Sequence, residues 1–451
     1  MDEPHWTLRA ALGLGQRPEL VALVGGGGKT GLLFALAAEL PGRTVITTTT
    51  RIFAAQIRLA PAVCYADDLE PLGRLLDAHR VCLVINRVEG DKALGVPPDL
   101  PARLLSRPDV DTVLVEADGS RMRPVKAPAE HEPVIPPGMT LVVPVAGLDA
   151  LEGPLDRVAH RPEMVRALLE EPPTADGRPP LKDGRLTPAG LARLLTHPNG
   201  GLKGAPADAR VIPFLNKVES ESRLAAARTA ARLMLREPRV SRVVLASLHS
   251  DQPVREVRRR VTAVVLAAGE SRRMGRNKLL LPWGDSTVLG RTLANVRASD
   301  VDDVLLVTGH EREKVEAIIT QHPTFCIHNG DYANGMLSSV QAALRALPAQ
   351  TEAILAILGD QPMVEPAVLD ALLAAYAATP KGLVAPYYRG ARGNPVIIDR
   401  RYFDELLALP PDAAPRALLR RHPDDVRPVE VESEAILHDL DRPEEYERWR
   451  P

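Results

Sequence analysis

The sequence predicts two successive α/β units, each built on a largely parallel sheet. Three observations point there. Short apolar runs of strand length alternate with alanine- and leucine-rich stretches of helical length. The runs are apolar on both faces, as strands sandwiched between helix layers must be. Twice, after Leu20 and after Val261, such a run leads directly into a glycine-containing loop. A chain of 451 residues has room for two or three domains of ordinary size.

In the first unit the expected strands are residues 20–24, 45–48, 81–85, 112–115, 141–145, 211–215 and 243–246, most of them bounded by turn residues. Helices are expected at 30–40, 191–195 and 223–235. Prolines, glycines and charges interrupt this rhythm between about 170 and 206, which reads as an insertion around one short helix. The basic run 258–260 reads as a solvated connector, and the boundary is placed there, giving units 1–259 and 260–451. The second unit opens on a strand that starts at Val261 and runs into its glycine-containing loop, and continues with strands at 304–308, 353–358, 383–386 and 395–398 and a helix at 364–378.

Composition narrows the function classes. Lysine and arginine number 56 against 58 aspartates and glutamates, a net charge of −2, which excludes a strongly cationic nucleic-acid binder. The three cysteines, Cys64, Cys82 and Cys326, form no C-x-x-C pair, so a zinc knuckle or disulfide framework is not expected and a reducing cytoplasm fits. No basic leader precedes an apolar stretch, and no apolar run approaches the roughly 20 residues that span a bilayer. A cytoplasmic protein without a membrane partner is the expectation.

The first loop, Gly25-Gly26-Gly27-Gly28-Lys29-Thr30, lies between a strand and an apolar helix. Glycines let backbone N–H groups curl around phosphate oxygens, the helix start adds positive potential, the lysine supplies a mobile charge and the threonine hydroxyl a Mg²⁺ ligand. Gly25, Gly28, Lys29 and Thr30 are therefore the nucleotide-binding candidates of a P-loop-like domain. The G-x-x-G-K-T spacing resembles the compact loop of Mur-type ligases. Glu116 and Asp118 directly follow an apolar strand, where an acid can hold Mg²⁺ or orient its water, and Glu116 is the metal candidate. Asn216-Lys217-Val218-Glu219 is similar to a guanine-reading N-K-x-D loop, with glutamate in place of aspartate.

The string Glu116-Ala117-Asp118-Gly119-Ser120-Arg121, continuing through Lys126-Ala127-Pro128 to His131-Glu132-Pro133, resembles the selenium-dependent hydroxylase accessory proteins of YqeC type. The 25–30 loop, the threonines 47–50 before Arg51, Leu148-Asp149 and His160-Arg161-Pro162-Glu163 match too, over about residues 10–250. The resemblance implies a nucleotide-dependent role in maturing molybdenum hydroxylases, with room for a purine nucleotide and a hydroxylase apoenzyme as partner. Lys126, Glu130 and His131 are either pocket residues or a proline-stiffened surface loop.

The second loop runs Leu266-Ala267-Ala268-Gly269-Glu270-Ser271-Arg272-Arg273-Met274-Gly275, with Lys278 three residues further on. Small residues admit a triphosphate to the backbone, while arginine and lysine neutralise charge on the α-phosphate and departing pyrophosphate. An acid must hold Mg²⁺ against those phosphates. Asp360, in Gly359-Asp360-Gln361-Pro362, follows an apolar strand at the edge where open parallel sheets bind ligands. A second acid comes from Asp439-Leu440-Asp441-Arg442-Pro443; the spacing leaves Asp439 and Asp441 as alternatives, and either residue can instead cap the helix starting near Pro443.

In this order the motifs resemble the molybdenum cofactor cytidylyltransferases, a MocA-type branch of the MobA-like NTP transferases, over nearly all of 261–451. The resemblance implies a Rossmann-like nucleotidyltransferase domain that transfers CMP from CTP to the terminal phosphate of molybdopterin-bound molybdenum. It places Leu266, Ala267, Ala268 and Gly269 on cytosine and ribose, Arg272, Arg273 and Lys278 on the triphosphate, and Asp360, with Asp441 as second acid, on Mg²⁺. Ser338 and Ser339 would lie near the nucleotide or belong to an N-capped core helix. Arg389 and Arg392 should face the acceptor. Asn394 stands where relatives usually carry histidine, and asparagine does not titrate near neutrality. A different phosphorylated acceptor, or a non-catalytic role in delivering finished cofactor to a hydroxylase, are the competing expectations.

Overall fold

A computed structural model describes residues 4–15, 18–170, 178–319, 324–410, 413 and 415–451. The chain divides into two compact units, His5–Arg258 and Arg259–Pro451. No helix among the described residues is long and apolar enough to cross a membrane.

The first unit is organised on strands β1 (Glu19–Gly25), β2 (Thr44–Thr48), β3 (Val63–Tyr65), β4 (Val81–Ile85), β5 (Thr112–Glu116), β6 (Leu141–Gly147), β7 (Phe214–Asn216), β8 (Arg242–Ala246) and β9 (Val254–Arg259). Their order across the sheet is β9-β8-β7-β6-β1-β5-β2-β4-β3, and β1 to β8 pair in parallel. The run expected as one strand at 211–215 is two pieces, Arg210–Val211 and Phe214–Asn216, because Pro213 has no N–H to give the ladder. Helix Lys29–Glu39 covers one face through Leu32, Leu33 and Leu36. On another, helix Pro188–Thr196 packs with Glu221–Met234 in a shared core, so this part of the expected insertion is built into the unit. Residues 171–177 of that insertion lie outside the described residues.

The second unit holds β10 (Val261–Ala267), β11 (Asp303–Thr308), β12 (Phe325–His328), β13 (Ala353–Leu358), β14 (Leu383–Tyr388), β15 (Val396–Asp399) and β16 (Val426–Glu430). The order is β12-β11-β10-β13-β15-β14, with β16 parallel to β14 and β15 antiparallel to both its neighbours. In β1 with β5 the register sets Leu23 beside Glu116; in β10 with β13 it sets Leu266 beside Leu358. Each glycine loop thus emerges next to a strand that delivers an acid at the same carboxyl edge.

The expectation of a solvated basic connector at 258–260 is corrected. Arg259 is 4% exposed. Its guanidinium pairs with Asp399 at 2.7 Å, donates to the Tyr376 carbonyl at 2.6 Å and stacks 3.4 Å over the Tyr376 ring. The Tyr376 hydroxyl also donates to Asp399, at 2.7 Å. Arg260 donates to Asp303 at 2.8 Å. Position at the join of two strands, not local charge, decides which side chains are desolvated, and a desolvated arginine persists only with acceptors such as these. Burial pushes the Asp399 carboxyl up, but the charges of Arg259 and Arg401 outweigh it and hold it below the usual range. Arg259→Leu is therefore expected to cost about 3–5 kcal/mol of stability, because it removes the buried cation and leaves Asp399 with only the more exposed Arg401 as counter-charge. Arg255→Leu, whose partner Glu221 is mostly solvent-exposed, should stay within about 0.5 kcal/mol. Urea unfolding of the full chain, read as midpoint shifts, distinguishes the two.

Candidate functional site

The second loop folds as its residue types dictate. After β10 the chain turns through Ser271, which is left-handed at φ +52°, into a single 3-10 turn, Arg272–Met274. The Ser271 hydroxyl accepts from the Lys278 amide at 3.2 Å and ties the two ends of the loop together. The opposite wall comes from β13: Gly359 donates to the Leu266 carbonyl at 3.0 Å, so Asp360 leaves the strand directly across from the loop. Between them lies a cavity of about 470 Å³ lined by Leu266, Gly269, Arg272, Lys278, Asp360 and Asp441, among others.

Charge in this cavity centres on Lys278. Its ammonium pairs with Asp360 and, at 2.7 Å, with Asp441, whose other oxygen accepts from Arg273 at 2.7 Å. Burial alone would lower the Lys278 pKa; the two carboxylates outweigh it and raise it, so the amine stays charged. Asp441 is correspondingly held below the usual range: burial pushes it up, and Lys278 and Arg273 push it further down. Among the described residues no cation forms an ion pair with Asp439. Burial, then the like charges of Asp360 and Asp441, push its carboxyl up to about 6. It accepts from the Gln361 side chain at 2.8 Å.

Of the expected contact residues, Leu266, Ala268, Gly269, Arg272, Arg273, Lys278, Asp360, Asp441 and Ser339 line the cavity. Ala267 does not: strand alternation turns it into the core, where it is 1% exposed. Ser338 spends its hydroxyl on the Gly335 carbonyl at 2.8 Å and accepts from Asn329, a local anchor at the start of helix Met336–Ala346. Neither aspartate caps the last helix, Pro443–Trp449. Glu445 reaches back instead, accepting from the amides of Asp441 and Arg442 at 2.8 and 2.9 Å. Both aspartates are thereby left for the cavity.

A second cavity, of about 560 Å³, shares Leu266, Gly335, Met336, Leu358 and Asp439 with the first. Its floor is apolar, including Leu337, Val340 and Leu419, and Arg392, Asn394 and Arg416 supply polar groups. Arg416 carries no sequence signal: it sits in an unremarkable basic stretch, and only the fold brings it to the same cavity as Arg392.

In the first unit the loop is closely packed. A Cβ on Gly27 would lie 2.1 Å from the Gly147 nitrogen, and at φ +74° only glycine fits without strain. The amides of Gly26 and Gly27 donate to the carbonyls of Val145 and Arg123 at 2.9 and 3.1 Å. Lys29 is 4% exposed, donating to the Gly25 carbonyl at 2.7 Å and pairing with Asp118 at 3.2 Å and Glu116 at 3.7 Å. The Thr30 hydroxyl donates to Glu116 at 3.0 Å. Burial works against the Lys29 charge and also raises the Glu116 carboxyl; Asp118 and Glu116 together keep the lysine pKa above its ordinary value. Lys126 is buried beside them, while Glu130 and His131 are exposed. Asn216, in the segment similar to a base-reading loop, is a strut: its side chain donates to the Gly27 carbonyl at 2.8 Å and accepts from the Leu248 amide at 3.3 Å.

Among the described residues, no group of three or more His, Cys, Asp or Glu side chains is arranged to hold a metal ion unaided. Two family models match the chain: YqeC protein over residues 21–163, and the MobA-like NTP transferase domain over 263–426. Over 210 residues the chain is 33% identical to YqeC of Escherichia coli (strain K12), covering 46% of this chain and 78% of that one. Over 187 residues it is 30% identical to the molybdenum cofactor cytidylyltransferase of the same organism, covering 41% and 93%. Over 196 residues it is 31% identical to the purine catabolism protein PucB of Bacillus subtilis (strain 168), covering 42% and 94%. The chain thus belongs to two families in succession, YqeC in its first half and the MobA-like nucleotidyltransferases in its second.

Proposed function

We propose that the second unit transfers CMP from CTP to molybdopterin-bound molybdenum, releasing pyrophosphate, and that the first unit binds a nucleotide while a selenium-dependent molybdenum hydroxylase is matured. The observation that carries the first part is Lys278, held between two acids at the wall of one cavity that continues into a second cavity bearing Arg392 and Arg416. The likeness to a cytidylyltransferase over most of that relative's length supports cytidine as the base.

In this reading an oxygen of the acceptor phosphate attacks the α-phosphorus of CTP in line. The new P–O bond forms as the bond to the bridging oxygen of the β-phosphate breaks, and pyrophosphate carries that electron pair away. Such a transfer needs position and charge neutralisation, with no covalent nucleophile on the chain. Lys278 and Arg273 move from their carboxylates to the phosphate oxygens, while Arg272, now paired with Glu270 at 2.6 Å, is exposed enough to follow. Arg392 and Arg416 hold the anionic end of the acceptor over the apolar floor.

The donor set suits Mg²⁺. Asp360 and Asp441 offer hard carboxylate oxygens, and Mg²⁺ typically takes only one or two carboxylates, completing its shell with substrate phosphates and water. Its chemistry when bound is to neutralise charge on the triphosphate.

For the first unit, Thr30 hydrogen-bonded to the strand-end Glu116 beside a buried lysine supports the nucleotide reading.

Pyrophosphate release from CTP and molybdenum cofactor tests the transfer. Lys278→Ala and Asp360→Ala should each lower kcat/KM about 10²–10³-fold, and full turnover in both would overturn the site. Arg416→Ala should raise the KM for the acceptor about tenfold or more, as loss of a charged hydrogen bond does, with the KM for CTP unchanged. A screen of phosphorylated acceptors with CTP checks the acceptor itself. Co-isolation with a hydroxylase subunit, together with no pyrophosphate release, would make the second unit a carrier of finished cofactor.

A further inference from the structure

The Asp118 carboxylate is placed as a bound anion would be. Both of its oxygens accept from the Gly25 amide, each at 3.1 Å. One oxygen lies 3.2 Å from the Lys29 ammonium and the other 3.1 Å from that of Lys126, and the residue is 2% exposed. A glycine-loop amide and two buried ammonium groups converging on two oxygens is a donor set for a phosphoryl group. Lys126 belongs to no phosphate-loop motif, and burial at 5% exposure gives it no surface role.

Lys29, Lys126 and Arg161 are balanced by Glu116, Asp118 and Glu132. Glu132 is firmly committed: burial pushes its carboxyl up, but hydrogen bonds from Arg161 and Lys126 bring it down to about 2. A phosphate added with Asp118 in place would crowd like charges in a desolvated site, whereas withdrawal of Asp118 leaves one surplus cation waiting for an anion.

The same residues close the loop. Lys126 also donates to the Gly119 carbonyl at 2.7 Å. From there the chain passes through Arg121 and Met122, two successive non-glycine residues at φ +49° and +61°, to the Arg123 carbonyl that occupies the Gly27 amide. Met122 is 88% exposed, so its side chain contributes little to holding that conformation. A cavity of about 10 Å³ beside Gly25, Asp118 and Lys126 leaves no space for a phosphate while the carboxylate stays.

We infer that Asp118 is a resident stand-in for a phosphoryl group on the first glycine loop, and that Lys126 joins Lys29 in holding the incoming phosphate once Asp118 is displaced. The inference rests on the nucleotide reading of the first unit. Displacement draws Lys126 from the Gly119 carbonyl and frees segment 119–124 from the Gly27 amide.

The test uses the full chain carrying Lys278→Ala, so that the second loop contributes little, titrated with inorganic tripolyphosphate, ATP and GTP, each with Mg²⁺. Asp118→Asn should tighten binding of tripolyphosphate and of at least one nucleotide about tenfold or more, and adding Lys126→Ala should abolish the gain. Hydrogen exchange supplies an arm that leaves Asp118 intact: saturating ligand should speed exchange of peptides covering 119–124. Unchanged or weaker binding by a folded Asp118→Asn chain, a gain that survives Lys126→Ala, or slowed exchange at 119–124 each overturns the inference. If Lys29→Ala weakens nucleotide binding while Asp118→Asn brings no gain, the nucleotide reading stands and the stand-in falls. If Lys29→Ala changes nothing in any background, the nucleotide reading itself fails, and this inference with it.

Discussion

Parallel pairing of two neighbouring strands is the constraint on which both halves depend. In a parallel sheet all carboxyl ends face one edge, so a loop leaving one strand and an acid leaving the next are delivered to the same place without further design. β1 with β5 brings the 25–30 loop to Glu116 and Asp118; β10 with β13 brings the 266–278 loop to Asp360. The strands carrying these groups are almost wholly apolar, which keeps that edge in register and makes it the place where charge accumulates.

The two edges settle their charge differently. In the second unit Lys278 is shared by two acids on the wall of a large open cavity, and an exposed arginine stands by. In the first unit three cations and three carboxylates interlock around the buried Lys29, Asp118 and Lys126, and backbone carbonyls take two of the glycine amides. Paired opposite charges thus give an accessible site in one half and a closed one in the other, because strand 112–116 is followed by a segment that folds back over its loop.

Much of this was legible in the sequence. Apolar runs fixed most strands to within a residue or two, and the motifs around Lys278 and Asp360 named groups that the fold brings together. What escaped was non-local. Arg259 belongs to a run of three arginines that reads as solvated; its acceptors lie more than a hundred residues away in sequence. Asn216 sits in a stretch that mimics a base-reading loop, and only the pairing of β6 with β7 makes it a strut for Gly27. Arg416 has no periodicity or motif to mark it. Between Asp439 and Asp441 the spacing was silent, and the fold brings both to the cavity wall, because Glu445 satisfies the helix start in their place.

The two cavities of the second unit share five wall residues, while Arg392, Asn394 and Arg416 touch the second alone. Substitution at a shared position disturbs both ends of the groove together. Change confined to those three positions alters one end only, so on the proposed reading a few private substitutions there exchange the acceptor while the residues assigned to the nucleotide stay as they are.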